Sequence, residues 1–249
     1  MTDQTPTGPD PADMPRADAV QHEHPDVTGG WLRPAVFGAM DGLVSNFALI
    51  AGVVGGTAAG DSEPVVLAGL AGLAAGAFSM AAGEYTSVAS QSEFAQAQVA
   101  IERAEIARNE RAEMSELAAM YVAKGLTPEL AAQVSAQVHE DLENAVRVHA
   151  REEFGVDPDA LASPTLAAAS SFAAFAVGAL VPVLPYLLGA DSLLPVVLVS
   201  LIGLFGCGAM VTAVTQRSWW YGGLRQLVLG GAAATLTYLV GTAVGAGLA

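Results

Sequence analysis

The stretch AGLAGLAAGAFSMAAGEYTSVASQSEFAQAQVAIERAEIARNERAEMSELAAMYVAK, Ala68–Lys124, changes character midway without a break. Up to Val88 it is almost wholly apolar, and with the residues from Val65 it is long enough to cross a bilayer, which needs about 20 residues. Beyond Ala89 it turns acidic, and its apolar residues become periodic. No Gly or Pro interrupts it from Glu84 through Lys124. The reading is one unbroken helix that leaves a membrane as the continuation of a spanning segment. It would project about 50–60 Å, at about 1.5 Å per residue. Gly125 stops it, and Thr127-Pro128 supplies a cap and a first-turn proline for the next helix. A further helical stretch around Val138–Glu153 ends at Gly155.

Working outward, four more apolar blocks appear: Pro34–Gly56, Leu166–Leu188, Leu193–Val214 and Leu224–Leu248. With Val65–Val88 they make five spans. The composition agrees: 53% of the 249 residues are hydrophobic and only 14% charged, which a soluble domain of this size rarely shows. Pro34 and Ser163-Pro164 are start signals. Small residues recur at helix-packing spacing in Gly38/Gly42, Gly52/Gly56, Gly72/Gly76, Ser79/Gly83 and Gly241/Gly245. The fold class is therefore an all-α membrane protein. Five transmembrane helices carry a cytosolic three-helix domain inserted between spans two and three. The expected organisation is an acidic disordered tail at 1–30, spans one and two at 31–90, the glutamate-rich domain at 91–163 and spans three to five at 164–249.

All ten Lys and Arg fall in the tail, at Arg33, between spans two and three, or at Arg217 and Arg225. Five spans put those regions on one side, and the positive-inside rule makes that side the cytosol. The N-terminus is then inside and the C-terminus outside. The net charge of −15 excludes nucleic acid as a natural partner. The tail, with its His22 and His24, lacks the basic start and apolar core of a signal peptide. The single Cys207 excludes an intrachain disulfide and reads as a small packing residue.

Several residue sets carry chemistry. On a helical wheel Glu102, Glu105, Glu113 and Glu116 share an arc of roughly 80°. Glu110 flanks it and Glu93 points away. Like charges on one face repel unless cations bind them, and i,i+3 carboxylates hold iron and manganese in helical bundles. The bland alternative is a solvated face paired with Arg103, Arg108 and Arg111. His149 and Glu153, one turn apart with Glu152 between them, could complete a site begun by the first helix. Within the spans, Asp41, Met80 and Glu84 stand out. Ionisable groups in a bilayer are costly and point to function, and a thioether favours transition metals over Mg²⁺ or Ca²⁺. If span one runs outward and span two back, Asp41 and Met80 lie at similar depth, with Glu84 on the face of Met80.

The stretches RPAVFGAMDGLVSNFALIAGV and AGLAGLAAGAFSMAAGEYTSVASQSE resemble the first two transmembrane helices of the vacuolar iron transporter family. The resemblance extends over nearly the whole chain. It implies a homodimer, with a metal path between the two first helices, that exchanges cytosolic Fe²⁺ for protons. The family's membrane metal residues map onto Asp41 and Met80 and its motif glutamate onto Glu84. Its cytosolic ligands map onto Glu102, Glu105, Glu113, Glu116 and Glu153. Met40 stands where the family usually has Asn, and His149 where some relatives carry Met.

The expected function is proton-coupled export of Fe²⁺, and of Mn²⁺ as a second substrate, from the cytosol. No cofactor is expected, and Zn²⁺ is a further candidate for the cytosolic domain. In a bacterium-like cell the membrane would be the plasma membrane. The alternative is a membrane-anchored metal-binding or ferroxidase-like protein without transport. That chemistry wants two E-x-x-H motifs, which the acidic helices lack.

Overall fold

In a computed structural model the chain is described over residues 30–248, except 59 and 216; the expected tail with His22 and His24 lies outside these residues. Seven helices follow in order: α1 Leu32–Gly56, α2 Glu63–Ala123, α3 Pro128–Val138, α4 Leu142–Glu153, α5 Pro164–Leu187, α6 Leu193–Thr215 and α7 Trp219–Leu248. No strand occurs among the described residues. Helices α1, α2, α5, α6 and α7 are long and apolar enough to cross a membrane, matching the five expected spans.

Helix α1 is the centre of the bundle and packs on α2, α5, α6 and α7. Leu43, Phe47, Ile50 and Ala51 meet Val65, Val183, Tyr186, Val196, Leu204 and Ala234 in one core cluster. Large side chains on the outside, such as Leu67, Phe78, Ile202 and Val228, stay exposed. A lipid-facing surface leaves them so, and contact then depends on close backbone approach rather than on hydrophobic burial. At Gly241 an added Cβ would run into the carbonyl of Gly52, and at Gly38 it would lie 2.7 Å from the carbonyl oxygen of Ser171. Two polar side chains clamp the same bundle. Buried Asn46 donates through Nδ2 to Gly69 O at 3.1 Å and to Ala179 O at 2.7 Å. Thr237 donates to Ala48 O at 2.6 Å.

This geometry sets an expected stability contrast. Gly241→Val should lower the stability of the detergent-solubilised protein by about 1–3 kcal/mol through overpacking. Gly83 has nothing within 4 Å of an added Cβ, so Gly83→Ala should be neutral or gain up to about 1 kcal/mol from helix propensity. Thermal unfolding followed by circular dichroism compares the two.

The acidic segment departs from expectation in two places. Helix α2 is not one straight rod: Asn109 takes non-helical angles, φ −148° and ψ 64°. Asn competes poorly as an interior helix residue because its amide bonds locally to the backbone. The further helical stretch expected around Val138–Glu153 starts later, at Leu142, because α3 ends at Val138 and a turn at His139–Asp141 separates the two. The Asp141 side chain caps α4 by accepting from Asn144 N at 2.7 Å, and Asn144 Nδ2 donates to Val138 O at 3.2 Å. Other signals hold. Thr127 caps α3 and Ser163 caps α5. Gly125 and Gly155, at φ 103° and 63°, close α2 and α4. Helices α3 and α4 pack only on α2 and on each other, so with the distal part of α2 they form a small helical unit apart from the five-helix bundle.

Candidate metal sites

The first site lies inside the bundle. A cleft of about 410 Å³ is lined by Asp41, Ser45, Asn46 and Leu49 of α1, Gly72, Gly76, Ser79 and Met80 of α2, and Phe175 of α5. Asp41 and Met80 thus face the same space, from two different helices. Gly72 and Gly76 keep it open: an added Cβ would meet Leu49 Cδ2 at 2.5 Å at the first, and Phe175 Cε1 at 2.5 Å at the second. Ser45, Leu49 and Ser79 are exposed, so the cleft opens on the outside of the single chain's bundle. Sequence reading passed over Ser45, Asn46 and Ser79. The available signal was polar residues one turn beyond Asp41 in an otherwise apolar span. Asn46 spends both amide hydrogens on backbone carbonyls, and its buried Oδ1 has no hydrogen-bond partner among the described residues.

Glu84, one turn on from Met80, does not line this cleft. Its carboxylate is nearly buried, 3.9 Å from the exposed guanidinium of Arg33, and Oε2 accepts no hydrogen bond among the described residues. Met40 faces the opposite way, into an apolar groove with Leu32, Ala35, Val36, Ala39, Cys207, Met210 and Val211. Its thioether is therefore not part of the Asp41 cleft.

The second site lies in the acidic unit. Ligand-type atoms of Glu102, Glu113 and His149 all lie within 4.8 Å of one another. A straight helix would set the Cα atoms of Glu102 and Glu113 about 16 Å apart. The break at Asn109 is what folds the second glutamate back toward the first. The shared arc drawn on a uniform wheel is therefore not how these carboxylates meet. Glu102 and His149 are fully buried, Glu113 is partly buried, and Glu105 and Glu116 are exposed. His149 Nδ1 lies 2.7 Å from Glu153 Oε1 and 2.9 Å from Glu102 Oε1. Its hydrogen bond goes to Glu153, which leaves Glu102 Oε1 buried and unpartnered.

Arg103, one of the three arginines available to neutralise the acidic face, instead grips Glu143 of α4 with both guanidinium nitrogens. Lys124 pairs with Glu152. Arg108 and Arg111 form no ion pair among the described residues. The charge of the cluster is therefore not met by arginine or lysine side chains among the described residues. Burial pushes the Glu102 carboxyl up to about 7; Glu153, Glu113 and Glu105 push the same way and His149 opposes them. Glu113 is also raised, first by burial and then by Glu116.

Sequence reading missed His139. It is buried, its Nδ1 donates to Ser135 O at 2.8 Å, and its ring meets that of His149 edge to face at a centroid distance of 5.2 Å. Its offset of ten positions from His149 gave no helical signal, because the helix breaks between them.

Five helices able to cross a membrane, a carboxylate–thioether cleft and a separate buried acidic–imidazole cluster are the features a membrane transporter of metal ions needs. The comparisons with known proteins give the family. The pattern of the VIT family matches residues 32–242, and the chain belongs to that family. It is 36% identical to a vacuolar iron transporter of Acanthamoeba castellanii over 201 residues, 77% of this chain and 72% of the relative. It is 29% identical to vacuolar iron transporter 1 of rice over 235 residues, 90% of each chain. It is 31% identical to vacuolar iron transporter 1 of Arabidopsis thaliana over 184 residues, 71% of each.

Proposed function

We propose that the protein exports Fe²⁺, and Mn²⁺ as a second substrate, from the cytosol in exchange for protons. The observation that carries this reading is the convergence of Asp41 and Met80 on one cleft between α1, α2 and α5. A bare carboxylate within the apolar bundle is disfavoured, and a metal ion or a proton can each neutralise it. The two compete for the same oxygens, so metal entry releases a proton and proton return releases the metal. The Met80 sulfur biases the cleft toward transition metals. Vacuolar iron transporters among the relatives fit iron as cargo.

In this reading Glu102, Glu113 and His149, with Glu153 behind His149, capture the ion on the cytosolic side. Glu105 and Glu116 supply negative field at the rim, and Glu84 lies along the route near Arg33. A polar cleft open to lipid is unfavourable, and a second copy of the chain laid against α1 and α2 would close it, so the working unit is a homodimer. The distribution of Lys and Arg supports a topology with the acidic unit inside and the C-terminus outside. Where the host is bacterial, the membrane is the plasma membrane.

The test is a flux assay in proteoliposomes, with Fe²⁺ on one side and a pH-sensitive dye within. Metal uptake should be accompanied by proton movement in the opposite direction. Uptake with no proton movement would remove the exchange mechanism. Reporters test the topology: one fused at the C-terminus should read outside, and one inserted at Gly125 should read inside.

A further inference from the structure

Two of the chain's ten basic residues meet in a cavity that plays no part in the metal path. A polar recess of about 330 Å³ lies between the ends of α6 and α7, lined by Thr212, Arg217, Tyr221, Gly222 and Arg225. Arg217 precedes α7 and Arg225 lies in its second turn, yet the connection between the helices brings both to one space. The walls are fixed. An added Cβ on Gly222 would lie 2.3 Å from the carbonyl oxygen of Gly208, so the two backbones touch beside the recess. The Arg225 guanidinium lies over the Tyr221 ring, 5.9 Å from its centroid.

The charges point to an anion. None of the lining residues is acidic, and residues 192–249 hold Arg217 and Arg225 and no Asp or Glu. Neither arginine forms an ion pair with a described residue, in a chain whose net charge is −15. Helix α7 starts here with no acidic residue in its first turn, so the positive end of its dipole is uncompensated.

The surroundings identify the anion as a lipid headgroup. Trp219 and Trp220 are exposed, their rings lie 4.3 Å apart, and both meet Phe205 edge to face. Exposed Trp and Tyr at the end of a span are the composition of a membrane interface. From Tyr221 along α7, Leu224 and Val228 follow at helical spacing on the face of Arg225, and both are exposed. They form an apolar track that begins at the recess and suits an acyl chain. A soluble anion has no use for it.

We propose that Arg217 and Arg225 bind the phosphate of an anionic phospholipid, with its headgroup in the recess and an acyl chain along Leu224 and Val228. Guanidinium forks match phosphate oxygens, and basic pockets between spanning helices suit such headgroups. No residue of the Asp41 cleft or of the acidic cluster lines the recess, so its test is independent of the transport reading.

The experiment uses full-length Trp31→Phe protein in detergent, in which Trp219 and Trp220 are the only tryptophans. Phosphatidylglycerol and phosphatidylcholine with brominated acyl chains are titrated in turn, and quenching of tryptophan emission reports the lipid beside the recess. One basic residue near an anionic surface is worth roughly fivefold in affinity. Phosphatidylglycerol should therefore bind about tenfold or more tighter than phosphatidylcholine. Folded Arg217→Gln, Arg225→Gln protein should lose that preference. Arg33 sits at the same end of the bundle, where Leu32 meets Met210 across a separate groove. Arg33→Gln should cost less than either arginine of the recess. Equal affinity for the two lipids overturns the proposal. So does an equal loss in Arg33→Gln and Arg225→Gln, which would show diffuse surface charge rather than a site. Displacement of phosphatidylglycerol by inorganic phosphate, beyond that by sodium chloride at matched ionic strength, would assign the recess to a soluble anion and overturn the lipid.

Discussion

Asp41→Asn protein in proteoliposomes should show no metal-driven proton movement above that of empty liposomes, although it folds and inserts normally. The substitution keeps shape and removes the charge for which metal and proton compete. Met80→Leu keeps volume and removes the sulfur, so it should lower Fe²⁺ transport on the order of tenfold, by analogy with the loss of supporting metal ligands. Both side chains line the same cleft, and their effects should not add independently, because residues sharing one site couple. Transport by Asp41→Asn at the parental rate under the same pH gradient would take Asp41 off the path.

The second large effect belongs to the acidic unit. Glu102→Gln combined with Glu113→Gln should abolish Mn²⁺ binding there, measured by calorimetry on full-length protein. The pH dependence gives the same site a signature. The Glu102 carboxyl titrates at about 7, above its usual 4.5. Below that pH an incoming ion must displace its proton, so affinity should fall about tenfold per pH unit between pH 7 and pH 5. Above it the affinity should level off. Stability of the metal-free protein should run the other way. A raised carboxyl binds its proton more tightly when folded, so this contribution is present at pH 4.5 and is lost as the pH rises toward 7. Metal should restore it at high pH. A binding profile flat from pH 5 to 8 would exclude Glu102 as a ligand.

The five spans were legible because apolar runs of bilayer length, bounded by Pro34, Ser163-Pro164 and loop residues, leave few alternatives. Most close-packing glycines were legible for the same reason, since small residues at four-residue spacing lie on one helix face; Gly83, expected to pack with Ser79, is the exception, with nothing within 4 Å of an added Cβ. Asp41 and Met80 could be paired from depth alone, by counting inward from one membrane edge along antiparallel helices. What could not be read was any feature set by an interruption of the helix. Asn109 carries no strong break signal, yet its angles decide that Glu102 meets Glu113 and that Glu105 and Glu116 stay outside. The turn at His139–Asp141 likewise depends on a cap visible only once the partner helix is in place. Met40 shows the same limit. Its neighbour Asp41 faces the polar cleft, while one residue of helical rotation turns Met40 toward Cys207 and Met210.

The continuity of α2 from the bundle into the acidic unit has a consequence for how this chain can change length. Met80 and Glu102 stand 22 positions apart with no irregular residue between them, so a rigid shaft of about 33 Å sets their relative phase. Adding or removing one residue in that shaft would turn the acidic unit by about 100° relative to the five-helix bundle. A change of seven or eleven residues would turn it by only about 20°. The shaft should therefore tolerate insertions as whole helical repeats and reject single ones, whatever residue is inserted. Beyond Asn109 that constraint is released.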